Sequence, residues 1–426
     1  MPPVPDARSL RPLPAIHRLR PGLFYGWFVV AGTFALSFVS IGIGFYGQTV
    51  FLDALIREHG WSKTSVSGAS TLYFIATGFF GMGVGRAVDR FGVRAPLFAG
   101  AFAMAGALLG LGFVDRPGQL YAVYLLLAAS FALSSSIPLS TLINQWFVAG
   151  RARAMSFSQT GVSVGGLVLV PLATGLIAEQ GVRLATQWLA ALALAIVLPV
   201  TLWVVREDPR AHGLNPDDAA PSSGDASPSE AVWRARDAVR TPTFRLLALG
   251  FGAILICQTG LAVHHLHLLR DRLDTSAAAL GAATLPAGAI VGRLVVGRLA
   301  DRIDKRRVTA GLFAVQALAL LGLGFATHTT GLLVASLTFG LTIGAVFMMQ
   351  PLLVADLFGL ASFGTVLGSL NFLTSLGGGI GPLLVGVIAE RYDGYPSAIR
   401  ALLVIALSAA TLMLFVRRPG PQEASV

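Results

Sequence analysis

Charge is scarce in this sequence. Asp, Glu, Lys and Arg make up 12% of 426 residues, about half the share of an ordinary soluble domain. That excludes a water-soluble fold, since a soluble globule of this length needs far more polar surface to cover its core. Cysteine is scarcer still. The single Cys257, set within an apolar run, excludes an intrachain disulfide and a thiolate metal site. None of the 21 acidic residues falls deep in an apolar stretch; Asp53 and Asp356 lie near the ends of two. The arginine-rich stretch up to Pro21 lacks the short apolar core and cleavage site of a secretory signal. It is expected to be a cytoplasmic tail over 1–22. The net charge of +10 comes from short basic clusters between apolar runs, without an aromatic-interleaved basic face, so nucleic acid is not an expected partner.

What the sequence does have is apolar length. Hydrophobic residues are 54% of the chain and mean hydropathy is +0.72. Twelve apolar runs fall at about 24–52, 66–85, 95–114, 120–143, 154–178, 186–205, 244–268, 276–297, 308–326, 332–353, 365–389 and 401–416. Each matches the roughly 20 residues that a helix needs to cross the hydrocarbon, and barrel strands would be about half as long. The expected fold is an all-α membrane protein of twelve transmembrane helices in two six-helix bundles, 23–206 and 242–417, surrounded by lipid. A loose connection over 207–241, rich in Pro, Ser and Gly, joins them, with a short surface helix near Val232–Val239; a tail over 418–426 ends the chain. With the amino terminus inside, cytoplasmic segments carry 22 Lys and Arg and outer segments 8. Both termini are therefore expected in the cytoplasm, in a plasma membrane.

One arginine belongs to neither group. Arg293 sits inside the eighth run, where a lone cation costs about 2.5–3.5 kcal/mol and usually marks a pathway. Its planar fork matches a carboxylate. The competing reading is snorkelling to nearby headgroups, because Gly297 lies one turn away. His264, His265 and His267 end the seventh run; with Asp53 they are the proton-coupling candidates, and the alternative is an interfacial polar rim. No carboxylate or cysteine joins the histidines, so neither a metal nor a cofactor is expected. Tyr46, Gln48, Ser136, Gln159, Gln350 and Asn371 are further polar residues in spans, candidates for a cavity lining or for interhelical hydrogen bonds. Gly161-Val-Ser163-Val-Gly165 matches a hydrolase elbow and Gly81-x-Gly83-x-Gly85 part of a dinucleotide motif. Both lie within spanning helices, so neither implies an enzyme.

An internal repeat is present. Gly85-Arg-Ala-Val-Asp89-Arg90-Phe-Gly92-Val-Arg94 follows the second run, and Gly297-Arg-Leu-Ala-Asp301-Arg302-Ile-Asp304-Lys305-Arg306 follows the eighth. Repeated halves are a signature of carriers that rock one bundle against the other. This pattern resembles the loop motif of the major facilitator superfamily. The resemblance implies that Gly85, Asp89, Arg90, Gly92 and Arg94, with Gly297, Asp301 and Arg302, form a cytoplasmic gate. A finer resemblance rests on Tyr25-Gly26-Trp27, on Trp146-Phe147 with Arg151, Ala154, Gly161 and Gly165, and on Phe363-Gly364-Thr365 with Gly368, Gly377 and Gly381-Pro382. Together these are similar to the monocarboxylate porters and their bacterial relatives of oxalate:formate type.

That likeness implies a carrier, working as a monomer, that moves a small organic anion of the lactate or pyruvate kind by alternating access, with proton symport. Arg293 would hold the carboxylate, and His264, Tyr46, Ser136, Gln350 and Asn371 would complete the site. The alternatives are anion exchange, export of a drug or metabolite, and a non-transporting sensor. Three positions depart from the family pattern: Ser156 stands where the fifth-span signature has Gly, Tyr46 where several animal members have Lys, and Ala289 where they have a carboxylate.

Overall fold

A computed structural model describes residues 22–61, 63–218, 233–392 and 394–420. The expected tail before residue 22, residues 219–232 of the central connection and the last six residues lie outside the described residues. Helices account for nearly all the rest, and no strand occurs among the described residues. They are α1 (Gly26–Ile41), α2 (Gly47–His59), α3 (Lys63–Phe91), α4 (Arg94–Leu111), α5 (Pro117–Ser134), α6 (Ser136–Trp146), α7 (Arg151–Pro199), α8 (Ala235–Ala238), α9 (Pro242–Arg270), α10 (Thr275–Ala300), α11 (Lys305–Phe325), α12 (Thr329–Phe358), α13 (Phe363–Arg391) and α14 (Tyr395–Leu414). Among the described residues, eleven helical stretches are long and apolar enough to cross a membrane. The longest, Arg151–Val204, has 54 residues and at 1.5 Å per residue would be about 80 Å long, far beyond a 30 Å hydrocarbon core. Gly181, at φ 79° and ψ 168°, breaks it into the expected fifth and sixth crossings. The chain is thus an all-α membrane protein with the twelve spans its apolar runs predict.

The chain forms two compact units. The first takes residues up to Glu230 together with Leu360–Thr365; the second takes Ala231–Gly359 and Val366–Val426. In the first unit, α1 and α2 are one span joined by a π-helical turn, Gly42–Tyr46. The widened turn leaves the Gly44 carbonyl open to side chains. Tyr73 Oη–H donates to it at 2.7 Å and Gln48 Nε2 at 3.0 Å. Gln48 in turn accepts from Ser70 at 3.3 Å, binding α2 to α3. Gly161 and Gly165 of α7 press their bare backbones against the carbonyls of Phe34 and Phe38 of α1. Such close approach is how helices associate where lipid offers no hydrophobic drive.

The second unit repeats this device twice. Gly377 and Gly381 of α13 rest on Gly252 and Ile256 of α9. Between α10 and α12 the contact is reciprocal: a Cβ on Gly292 would strike the Leu341 carbonyl, and one on Gly344 the Ala289 carbonyl. A buried polar knot ties three helices of this unit. Gln258 Nε2 of α9 donates to Gln316 Oε1 of α11 at 2.9 Å, and Thr342 Oγ1 of α12 donates to the same oxygen at 3.1 Å.

The connection after the sixth span differs from the loose linker expected over 207–241. Residues 206–218 are held to the first unit by two carboxylates. Glu207 Oε1 accepts from the backbone N–H of Val93 and of Arg94, both at 2.8 Å. Asp217 accepts from Val148, Ala149 and Gly150 at 2.8, 2.6 and 3.2 Å. Trp146 Nε1 donates to the Arg206 carbonyl at 2.6 Å. The physical cause is the row of unpaired N–H groups at the starts of α4 and α7, which attract anions. The short helix expected near Val232–Val239 is Ala235–Ala238.

Candidate functional site

Arg293 is carried by α10 two turns before its end. Gly292 beside it lets α10 lie directly on α12, and this proximity delivers the guanidinium across the contact. Its Nε–H donates to the Gly344 carbonyl at 3.2 Å. The side chain is 4% exposed, so it is not extended to headgroups as snorkelling would require. A buried guanidinium demands several acceptors or a counter-ion, because burying its charge uncompensated costs several kcal/mol.

The other candidates divide between the two units. In the second, Gln350 of α12 is 4% exposed and its Nε2 has no hydrogen-bond partner among the described residues, an uncommon state for a buried donor. Asn371 of α13 is half-buried, with its carbonyl accepting from Thr374. His265 is 2% exposed and lies 2.9 Å from Ser336 Oγ of α12. His264 is half-buried, with ring nitrogens 3.3 Å from Tyr395 Oη and 3.1 Å from the Pro382 carbonyl. His267 is exposed.

In the first unit, Tyr46 ends the π-turn, 37% exposed, with its ring against Gly166. Ser136 begins α6 just after the break at Ser135. Asp53 is exposed on α2. Gln159 is half-buried on α7.

The two copies of the repeated motif hold helix starts by different means. Asp89 accepts from the N–H groups of Gly364 and Thr365, both at 2.8 Å, and from Thr365 Oγ1 at 2.6 Å, at the first turn of α13. Gly85 packs against the Gly364 carbonyl. Gly92 has φ 78°, a left-handed turn open to glycine, and a Cβ there would meet Glu207. In the second copy Asp304 replaces Gly92. Its carboxylate caps α11 through the Arg306 N–H at 2.8 Å and pairs with the Arg306 guanidinium, with contacts of 2.6 to 3.2 Å. This pairing holds the Asp304 carboxyl down at about 2. The first copy lacks that internal cap, and Glu207, 114 residues downstream, supplies it for α4. Arg94 also donates to the Leu202 carbonyl at 3.2 Å, and Arg90 lies over the Phe91 ring at 5.1 Å. Gly297 is buried, Asp301 half-buried and Arg302 exposed.

Sequence reasoning missed Glu207, Asp217, Thr259 and the Gln258–Gln316–Thr342 knot. The two acids had a usable signal, since each follows a span closely beside Pro, in Glu207-Asp-Pro209 and Pro216-Asp217. Gln258 and Gln316 each sit alone in an apolar run, where one glutamine does not identify its partner.

Matching to protein families aligns residues 34–382 and 287–426 with the Major Facilitator Superfamily. The chain belongs to the Major Facilitator Superfamily. It is therefore a multi-pass membrane transporter for a small molecule, not an enzyme. Relatives are distant. The oxalate:formate antiporter of Oxalobacter formigenes is 24% identical over 413 residues, covering 92% of this chain and 91% of that protein. Human monocarboxylate transporter 11 is 29% identical over 403 residues, covering 88% of this chain and 79% of the relative. Among solved structures, the transporter FucP in its outward conformation superposes with a TM-score of 0.74 at 14% identity, over 93% of this chain and all of that one. At that identity the likeness concerns the fold alone.

Proposed function

We propose that this chain moves a small organic anion, a monocarboxylate of the lactate or pyruvate kind, across a plasma membrane by alternating access. The observation that carries the reading is Arg293: a guanidinium 4% exposed on a spanning helix, whose Nε is committed to a carbonyl and not to headgroups. A substrate carboxylate matches the planar fork of a guanidinium, and mutual neutralisation of the two charges lets the loaded carrier reorient. Gln350, with a buried amide donor, is the second polar contact in the same unit. Both termini are cytoplasmic, in keeping with the Lys and Arg bias, and the Asp89 region is the cytoplasmic gate.

Proton symport is the coupling mode in this reading. Anion exchange is the second reading, favoured by the similarity to an oxalate:formate antiporter along nearly the whole chain. Uptake into proteoliposomes of labelled lactate, pyruvate and oxalate, with and without a pH gradient and with and without internal anion, separates the two. Symport predicts uptake driven by the pH gradient alone. Exchange predicts uptake only against internal anion. Uptake of none of the acids, with export of an uncharged drug instead, overturns the anion reading.

A further inference from the structure

At Pro382, α13 lacks a backbone N–H, which deprives the Gly378 carbonyl of its helical partner. Thr259 of α9 fills the gap. Its Oγ1 lies 2.8 Å from the Gly378 carbonyl and 2.8 Å from its own Leu255 carbonyl, sharing one hydrogen between them. His264, about one and a half turns further along α9, grips the other side of the break through the Pro382 carbonyl and also reaches Tyr395 at the start of α14. A carbonyl can only accept, so Nε2 of His264 carries the hydrogen donated to Pro382. Nδ1 of the neutral ring then accepts from the Tyr395 hydroxyl.

The bracketed stretch, Gly377-Gly378-Gly379-Ile380-Gly381-Pro382, contains four glycines and a proline, the poorest helix formers. A weak point in one spanning helix is therefore clamped by two side chains of its neighbour, one of them titratable.

We propose that His264 is a proton-binding site that sets the bend of α13 at Gly377–Pro382. Histidine changes charge near neutral pH. A proton arriving at Nδ1 converts that nitrogen from acceptor to donor. The Tyr395 hydroxyl must then rotate to accept, its own hydrogen turns to another acceptor, and the charged ring donates more strongly through Nε2 to the Pro382 carbonyl, tightening the clamp on α13. The charged and titratable groups at this end of the packed elements are His267, Arg270 and Asp271 of α9 and its C-cap, Glu390 and Arg391 of α13, and Arg400 of α14. Asp271 acts electrostatically on Tyr395, while Arg400 is turned to Pro396 and Ser397 of its own helix. Of the neighbouring histidines, His265 is committed to Ser336 of α12 and His267 is exposed. In a carrier without a carboxylate deep in a span, such a clamp couples protons to helix bending. That use rests on the proposed symport, whereas the switch itself does not.

The test needs no substrate. Spin labels on cysteines at Leu249 of α9 and Val387 of α13, in a Cys257→Ala background, report the bend of α13 in nanodiscs. The distance distribution is expected to shift between mildly alkaline and mildly acidic pH with a one-proton profile. His264→Gln keeps a donor for Pro382 but takes no proton, so it is expected to hold the alkaline distribution at every pH, with thermal melting confirming a folded protein. A shift in His264→Gln equal to that of the parent, or no shift in the parent, overturns the proposal. Either failure leaves the Arg293 reading untouched, because Arg293 plays no part in the measurement.

Discussion

The Nε–H of Arg293 reaches the Gly344 carbonyl at 3.2 Å because two helices, α10 and α12, touch backbone to backbone at Gly292 and Gly344. The glycines and the arginine form one construction: closeness without side chains, and a cation carried across it. Gly292→Ala and Gly344→Ala each introduce a methyl group against a carbonyl. Each is expected to destabilise the fold by about 1–3 kcal/mol, seen as a lowered melting temperature, and to reduce transport. Melting at the parent temperature would show that the helices separate at no cost.

Asp217 anchors the connection after the sixth span to three consecutive amides. Asp217→Ala is expected to cost about 1 kcal/mol, as for loss of a helix cap, and to accelerate hydrogen exchange at Val148, Ala149 and Gly150. The residue adopts φ 56°, a left-handed conformation that Asn also tolerates. Asp217→Asn, which keeps one acceptor oxygen, should therefore fall between Ala and the parent. Exchange mass spectrometry of this segment reads the order directly.

Thr259 satisfies the carbonyl that Pro382 orphans. Thr259→Val keeps the shape and removes the donor. It is expected to destabilise by about 1–2 kcal/mol, the cost of a part-buried acceptor left unmade. Pro382→Ala restores a backbone N–H at that position, so the valine substitution should become nearly neutral in its presence. A double-mutant cycle read by thermal melting checks that coupling.

Asp304 gives a pH signature. Arg306 holds its carboxyl at about 2, below the ordinary 3.8. A depressed folded-state value means that the stabilisation is complete above 3.8, the value in the unfolded chain, and is lost as pH falls towards 2. The carboxylate is largely exposed, so solvent screens the effect and it is small. The melting difference between the parent and Asp304→Asn is expected to be constant at neutral pH and to close between about pH 4 and pH 2.

The fold was legible in the sequence because lipid imposes a simple rule: each span announces itself as an apolar run. Residues 154–178 and 186–205 are separate runs, and Gly181 with its non-helical backbone parts the two helices. Run edges fell short of the helices, as at 66–85 against Lys63–Phe91, because helices continue past the hydrocarbon with charged ends. Arg293 was legible for the same reason that the spans were: a cation stands out in an apolar run. Long-range polar partners were not. Glu207 bonds Val93 across 114 residues and Gln258 bonds Gln316 across 58; single-sequence periodicity carries no information on such pairs. The composition of the linker predicts a loose segment, but two acids suffice to pin residues 206–218 when unpaired helix amides lie within reach.

Anion transport by this chain requires that Arg293 be the counter-ion of the substrate. Equilibrium binding of labelled lactate and of uncharged lactamide, to the purified parent and to Arg293→Ala, tests this most directly. The parent is expected to favour lactate by at least about tenfold, a difference of about 1.4 kcal/mol, and Arg293→Ala is expected to lose that preference. An undiminished preference for the anion in Arg293→Ala would contradict the assignment.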